Sequence, residues 1–292
     1  MRIWGLVGPT GMSLAPVMAK DFAGLDIKLA ASPEELVGTI VSGNYDVAGL
    51  PTNLAAVLYQ KTQGAVQMLA INTLGVLYVM ERGDTVQSVK DLAGKTIVAS
   101  GQAGVPEYAL NYVLAANGIT DAKVEWKSEH NEVSALAAAG KADLILLPQP
   151  MVTALQVKDP AMRIALDMTQ EFAKAAELDG KPGAVLSMGC LVVRADFARF
   201  QPEDLEAFLT EYRAAVDYVN IEPALAAKDI VAAGILPNEQ IAEKAIPLCN
   251  IVYVDGEEMK AQLSPLFDIL FAADPKSVGG KVPDDAFYYI AP

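Results

Sequence analysis

The sequence predicts an α/β protein of two similar lobes, each a mostly parallel sheet flanked by helices. Three observations carry this expectation. Strand-like apolar runs alternate with helix-like amphipathic segments from the first residue onward. A unit of helix, Gly, Asp, apolar strand and Leu-Pro occurs twice, with Gly140 standing 97 positions after Gly43. The 292 residues also exceed what a single core of common size needs, which favours two packed units.

Composition removes whole classes of function. Hydrophobic residues at 52% and charged residues at 20% fit a globular chain and exclude a disordered, collagen-like or disulfide-scaffold one. Acidic side chains number 36 against 22 basic ones, a formal charge of -14, so nucleic acid would be repelled over most of the surface. No apolar run reaches the roughly 18 residues of a membrane span. Met1-Arg2 passes directly into strand-like Ile3-Trp4-Gly5-Leu6-Val7 with no secretion leader before it, and the expectation is that a leader has been cut away. Cys190 and Cys249 match neither a CxxC pair nor a zinc cluster; they either pair in an oxidising compartment or serve as two small buried hydrophobes.

The elements follow in order. Residues 3–7 form a strand that runs into Gly8-Pro9-Thr10-Gly11, and residues 14–22 read as a helix capped near Ser13. Ser32-Pro33-Glu34-Glu35 sets a cap residue, a first-turn proline and two acids before a helix carrying Leu36, Ile40 and Val41, which stops near Gly43. Asp46 then opens the strand 47–50, Leu50-Pro51 ends it, and a helix covers 53–61. The second copy runs from Glu132-Val133 through Gly140 and Asp143 to the strand 144–147, Pro148 and a helix over 151–157. Residues 96–104 repeat the strand and glycine loop of residues 5–11.

Two further apolar strands, 75–80 and 186–193, each end in charged residues: Glu81-Arg82-Gly83-Asp84 and Arg194-Ala195-Asp196. They read as the places where the chain crosses from one lobe to the other and back. Lobe I is expected at 1–80 and 190–292 and lobe II at 81–189, with hinge strands near 76–82 and 186–194. The remainder from Gln201 is mainly helical, with Leu205, Phe208, Leu209, Tyr212 and Val216 at helical spacing, and packs onto lobe I.

This arrangement resembles the periplasmic substrate-binding proteins of ABC importers with the type II fold, and within them the nitrate, sulfonate, taurine and thiamine-precursor branch. The matching residues are the loop Gly8-Pro9-Thr10-Gly11, the helix-Gly-x-x-Asp-strand unit at 41–51, Ser88-Val89-Lys90-Asp91-Leu92-Ala93-Gly94-Lys95-Thr96-Ile97, and Gly140-Lys141-Ala142-Asp143. The resemblance implies an extracytoplasmic monomer in the periplasm or at the outer face of the cell membrane. It also implies a leader, commonly that of a lipoprotein, and a permease with its ATPase as partners.

Physical reasoning places a ligand beyond the carboxyl ends of the parallel strands, where helix N-termini offer free N–H groups. In lobe I those positions are Thr10, Gly11, Met12, Pro51, Thr52, Asn53, Asn72 and Thr73, with Met188 beside them. In lobe II they are Ser100, Gly101, Gln102, Glu129, His130, Pro148 and Gln149. None is Lys or Arg, so a bare anion would lack a guanidinium clamp. Glu107 and Tyr108 could add a carboxylate and a stacking face for a planar or amine-bearing ligand, or could simply serve the start of their own helix.

The other chemistry is thin. His130 is the single histidine and has no His or Cys at ligand spacing, so no metal is expected, and no cofactor. A nucleophilic Cys190 with His130 as base would need an orienting group and an oxyanion hole that nothing in the sequence specifies. The Gly8 loop is neither a P-loop nor a dinucleotide fingerprint. Asp255-Gly256-Glu257-Glu258 lacks the alternating oxygens of a calcium loop.

The leading expectation is therefore a non-enzymatic solute-binding protein that closes two lobes over a small polar organic ligand such as a sulfonate or a pyrimidine. The alternatives are an enzyme on the same fold, of the menaquinone-pathway or pyrimidine-forming kind, and a sensory ligand-binding domain. The pyrimidine-forming kind carries a cysteine-rich motif that two isolated cysteines cannot supply. On this reading Thr52→Ala, Asn53→Ala and Gln102→Ala each weaken ligand binding by roughly 1 to 3 kcal/mol, which calorimetric titration would show.

Overall fold

The computed structural model describes residues 1–20, 22 and 24–291. Contacts divide the chain into two units, Met1–Leu74 with Ser187–Pro292, and Gly75–Leu186. The first begins with β1 (Arg2–Leu6), α1 (Ala15–Ala19), β2 (Asp26–Ala30), α2 (Pro33–Val41), β3 (Val47–Leu50), α3 (Thr52–Lys61) and β4 (Val66–Leu74). The second holds β5 (Leu77–Arg82), β6 (Thr96–Ser100), α4 (Val105–Ala116), β7 (Lys123–Lys127), α5 (His130–Ala138), β8 (Leu144–Pro148), α6 (Met151–Lys158), β9 (Met162–Asp167) and α7 (Met168–Leu178). The chain returns to the first unit with β10 (Ser187–Arg194), α8 (Ala195–Phe200), α9 (Pro202–Ile221), α10 (Pro223–Ala232), α11 (Glu239–Ala245), β11 (Ile251–Asp255) and α12 (Gly256–Ala273).

The two sheets share one plan. Their orders are β11-β4-β10-β3-β1-β2 and β7-β6-β8-β5-β9, so β2-β1-β3-β10-β4 corresponds to β7-β6-β8-β5-β9. In each, a central strand pairs parallel with two neighbours, β1 with β2 and β3, and β6 with β7 and β8. Both sheets are nevertheless mixed rather than simply parallel. The strand by which the chain enters each unit, β5 or β10, is inserted antiparallel between two others. The strands β9 and β11 were not anticipated from the sequence; each lies at the edge of its sheet.

The two copied loops agree in detail. Gly43 and Gly140 hold φ of 70° and 65°. Asn44 N–H donates to the Thr39 carbonyl at 3.0 Å and Lys141 N–H to the Leu136 carbonyl at 2.9 Å, so both helices close with the same left-handed glycine cap.

The charged ends of β5 and β10 require a correction. They do not mark crossings; the units meet in sequence at Leu74–Gly75 and Leu186–Ser187, at the opposite ends of those strands. Arg194 instead closes onto the aspartate that opens β3. Its backbone N–H donates to the Asp46 carbonyl at 3.0 Å and its Nη2 to Asp46 Oδ1 at 3.0 Å, while Arg2 Nη2 reaches the same oxygen at 2.9 Å. Arg82 repeats the backbone bond in the second unit, with its N–H on the Asp143 carbonyl at 2.7 Å and its Nε 3.3 Å from Asp143 Oδ1, while its Nη2 bonds Asp159. Asp143 lies 97 positions after Asp46, so the ion pair is part of the repeat.

The first helix also departs from expectation. Pro9 starts a tight 3₁₀ segment, Pro9–Leu14, and α1 covers only Ala15–Ala19. A proline at the first helical position favours this earlier start. Of the expected helix 14–22, residue 21 lies outside the described residues. The helical remainder is as read: Leu205, Phe208, Leu209, Tyr212 and Val216 of α9 are buried in one cluster with Ile3, Val47 and Leu191 of the first sheet. Both cysteines are buried free thiols, which settles the open alternative in favour of small hydrophobes.

Burial pushes the Asp46 carboxyl up, but hydrogen bonds from Arg2 and Arg194 outweigh that and hold it at about 2. A carboxyl lowered on folding stabilises the protein above its unfolded value near 4 and loses that contribution as pH falls toward 2. We expect Asp46→Asn to cost about 2 kcal/mol at pH 7 by urea denaturation. The gap between wild type and variant should close between about pH 4 and pH 2.

Candidate functional site

In the first unit the carboxyl ends of β1, β3 and β4 meet the start of β10, because β10 runs antiparallel and places Ser187 opposite Leu74 and Gly189 opposite Thr73. Buried polar groups collect there. Thr52 Oγ1, at the first turn of α3, lies 2.7 Å from Ser187 Oγ. Asn72 is fully buried; its Nδ2 donates to the Thr10 carbonyl and to Tyr212 Oη, both at 3.1 Å, and its Oδ1 accepts from Thr73 Oγ1 at 3.0 Å. A Cβ on Gly189 would come within 2.7 Å of both Asn72 Oδ1 and Thr10 Oγ1, so only glycine lets the loop and the strand approach. Gly11 is equally constrained, since a Cβ there would sit 2.2 Å from the Leu6 carbonyl oxygen.

The second unit gathers its polar groups at the ends of the neighbouring strands β6 and β8. Ser100 Oγ and His130 Nδ1, at the N-terminus of α5, lie 2.5 Å apart. Burial holds His130 below the ordinary histidine range, against an opposing pull from Glu129, so the ring is neutral near pH 7. Gln149 is buried, and its Oε1 accepts from Thr153 N–H at 3.3 Å and Thr153 Oγ1 at 2.8 Å. Its Nε2 is buried with no partner among the described residues.

Several expected site residues do other work. Met12 is fully buried within the core cluster beside Leu14. Asn53 Nδ2 donates to the Ser277 carbonyl at 3.3 Å and so ties α3 to the C-terminal segment. Glu107 Oε2 accepts from Ala103 N–H at 2.6 Å and Tyr108 Oη donates to the Ala103 carbonyl at 3.1 Å; both brace the loop between β6 and α4, in which Ala103 has a φ of 60°. Gln102 and Glu129 are exposed, and Thr10, Pro51, Gly101, Pro148 and Met188 are half-buried. The sequence reading passed over Ser187, Gly189, Tyr212 and Thr153. For Ser187 and Gly189 the signal was position, since the antiparallel strand β10 begins where its parallel neighbours end; Tyr212 and Thr153 lie on helices and carry no such signal.

Cys190 is fully buried between β3 and β4, its thiol points at the Leu50 carbonyl at 3.5 Å, and burial pushes its proton affinity up. His130 bonds to Ser100 through Nδ1. Among the described residues no cluster of three His, Cys, Asp or Glu side chains could hold a metal ion, and no helix is long and apolar enough to cross a membrane.

Residues 21–226 match the family model described as NMT1/THI5 like. The chain belongs to the NMT1/THI5-like family. No curated protein matches it. Among solved structures it is similar to an ABC transporter protein from Parabacteroides distasonis, at 20% identity and a TM-score of 0.83 over 99% of this chain and 98% of that one. It is also similar to the periplasmic aliphatic sulphonate binding protein SsuA from Escherichia coli, at 14% identity and a TM-score of 0.71 over 99% and 91%. A third is the alkanesulfonate-binding protein SsuA from Xanthomonas axonopodis pv. citri bound to MOPS, at 17% identity and a TM-score of 0.62 over 97% and 94%. At these identities the likeness establishes the fold, that of the type II periplasmic binding proteins.

Within this family member the geometry revises the expectations for single substitutions. Asn72→Ala removes a buried amide with three bonds and should cost about 2 to 4 kcal/mol of stability by chemical denaturation. Asn53→Ala, by contrast, should lower the melting temperature slightly and leave ligand affinity at the wild-type value in a calorimetric titration.

Proposed function

We propose that this protein is the extracytoplasmic solute-binding component of an ABC importer, and that it carries a small polar organic molecule to a membrane permease without altering it. The observation that carries the reading is the chemistry at the strand ends. Hydroxyls and amides cluster where an open α/β sheet places its ligand, with no Lys or Arg among them, and burial keeps the Cys190 thiol protonated. Such a set can orient a solute by hydrogen bonds. Family membership and the similarity in fold to sulfonate-binding proteins support the same reading.

The mechanism expected from the sequence, closure of two lobes about two chain crossings, obeys a simple limit. A ligand shifts an open–closed equilibrium only by its differential affinity for the two forms. Thr10, Thr52 and Thr73 in the first unit, and Ser100, His130 and Gln149 in the second, are the side chains proposed to face the solute. The small ligand and the permease with its ATPase are the proposed partners.

A thermal-shift screen of the purified chain against sulfonates, pyrimidines, nitrate, flavins and small aromatic acids tests the proposal. At a hundred times its dissociation constant, the true ligand should add about 2.7 kcal/mol of stability and be recovered unchanged by mass spectrometry. Recovery of a converted product would overturn the reading in favour of an enzyme on this fold.

A further inference from the structure

In the second unit the Gln149 side chain holds a buried amide nitrogen without a hydrogen-bond partner among the described residues, and that group carries an inference about the ligand. The orientation of the Gln149 amide is fixed, because a backbone N–H can only donate. Thr153 N–H and Thr153 Oγ1 therefore identify the bonded atom as the carbonyl oxygen. The free end is thus Nε2, a donor, in a side chain only 2% exposed. A buried donor without a partner costs free energy that an apolar residue of the same shape would not, so its retention points to a partner that arrives with the ligand.

The neighbouring strand end adds a hydroxyl and an imidazole. Ser100 and His130 bond to each other through Nδ1, and the ring's Nε2 is not part of that bond. In β6 and β8, Ala99 pairs with Leu146, so Ser100 and Gln149 leave adjacent strands at the same end of the sheet. Glu107 Oε2 accepts from Ala103 N–H and so serves its own loop. No cation stands among these residues to balance a full negative charge.

We infer that Gln149 is a specificity-determining residue whose Nε2–H donates to the ligand, and that the ligand presents an uncharged carbonyl oxygen to this unit rather than an ammonium or a bare oxyanion. The inference rests on the solute-binding reading above and narrows its ligand class. It also replaces the amine-bearing ligand that Glu107 suggested in the sequence.

The test uses the intact chain with uracil and nicotinamide as uncharged carbonyl probes, and methanesulfonate and nitrate as anions. His130 is the single histidine, so its Cε1 proton gives one assignable NMR signal. The expected result is that at least one carbonyl probe moves that signal and raises Tm while the anions at equal concentration do neither. Gln149→Leu should weaken that probe about tenfold or more. Gln149→Glu, which keeps an acceptor for Thr153 and replaces the donor by a carboxyl oxygen, should do the same, and circular dichroism checks that both variants fold. The inference is overturned if neither carbonyl probe moves the His130 signal, if an anion binds as tightly as they do, or if both variants bind like wild type. A probe that raises Tm equally in wild type and variants keeps the solute-binding reading and sinks this one. A probe that needs Gln149 but is converted to product keeps the donor assignment and sinks the transport reading.

Discussion

The arrangement of both sheets depends on an aspartate at the mouth of a parallel strand held by an arginine at the end of an antiparallel one. In the first unit Asp46 is buried and takes bonds from Arg2 and Arg194, so leaving it without either arginine would strand a charge in the interior. Backbone bonds from Arg194 and Arg82 to the carbonyls of Asp46 and Asp143 fix the register at the same point. A slip of one residue would turn every side chain of β5 or β10 to the wrong face. What stands at the far ends of those strands, where the candidate site lies, is therefore set by a clamp at the near ends.

From that register the polar groups of the first unit follow. Ser187 and Gly189 enter at the edge where Leu50 and Leu74 leave, which brings Ser187 to Thr52 and leaves no room for a side chain at Gly189. Asn72 then holds the Thr10 loop from below and is itself held by Tyr212 of α9. The loop that faces outward is thus braced by a helix belonging to the last third of the chain. In the second unit the bracing is more local, with Glu107 and Tyr108 on Ala103 and Thr153 on Gln149.

The repeat, the alternation of strands and helices, and the glycine caps at Gly43 and Gly140 were legible because each depends on near neighbours in the chain. The roles of Asn53 and Met12 were misjudged for the opposite reason. Asn53 is used by Ser277, more than two hundred positions away, and Met12 is buried by strands and helices from both ends of the sequence. Arg82 and Arg194 looked like exits into solvent because a charge following an apolar run ends a strand in either case, and only the partner aspartate tells the two apart.

The sequence by itself determined the α/β class, the duplicated unit, the absence of a cation at the strand ends and the set of loops in which a ligand site could lie. These are properties of periodicity, composition and local turn chemistry. The tertiary structure decided which polar side chains in those loops are already spent on the protein and which are free. That distinction rests on three-dimensional packing and on which bonds it permits, and Gln149 shows it most plainly. Its oxygen is satisfied by Thr153 four positions on, while its nitrogen is buried by packing that no local pattern records.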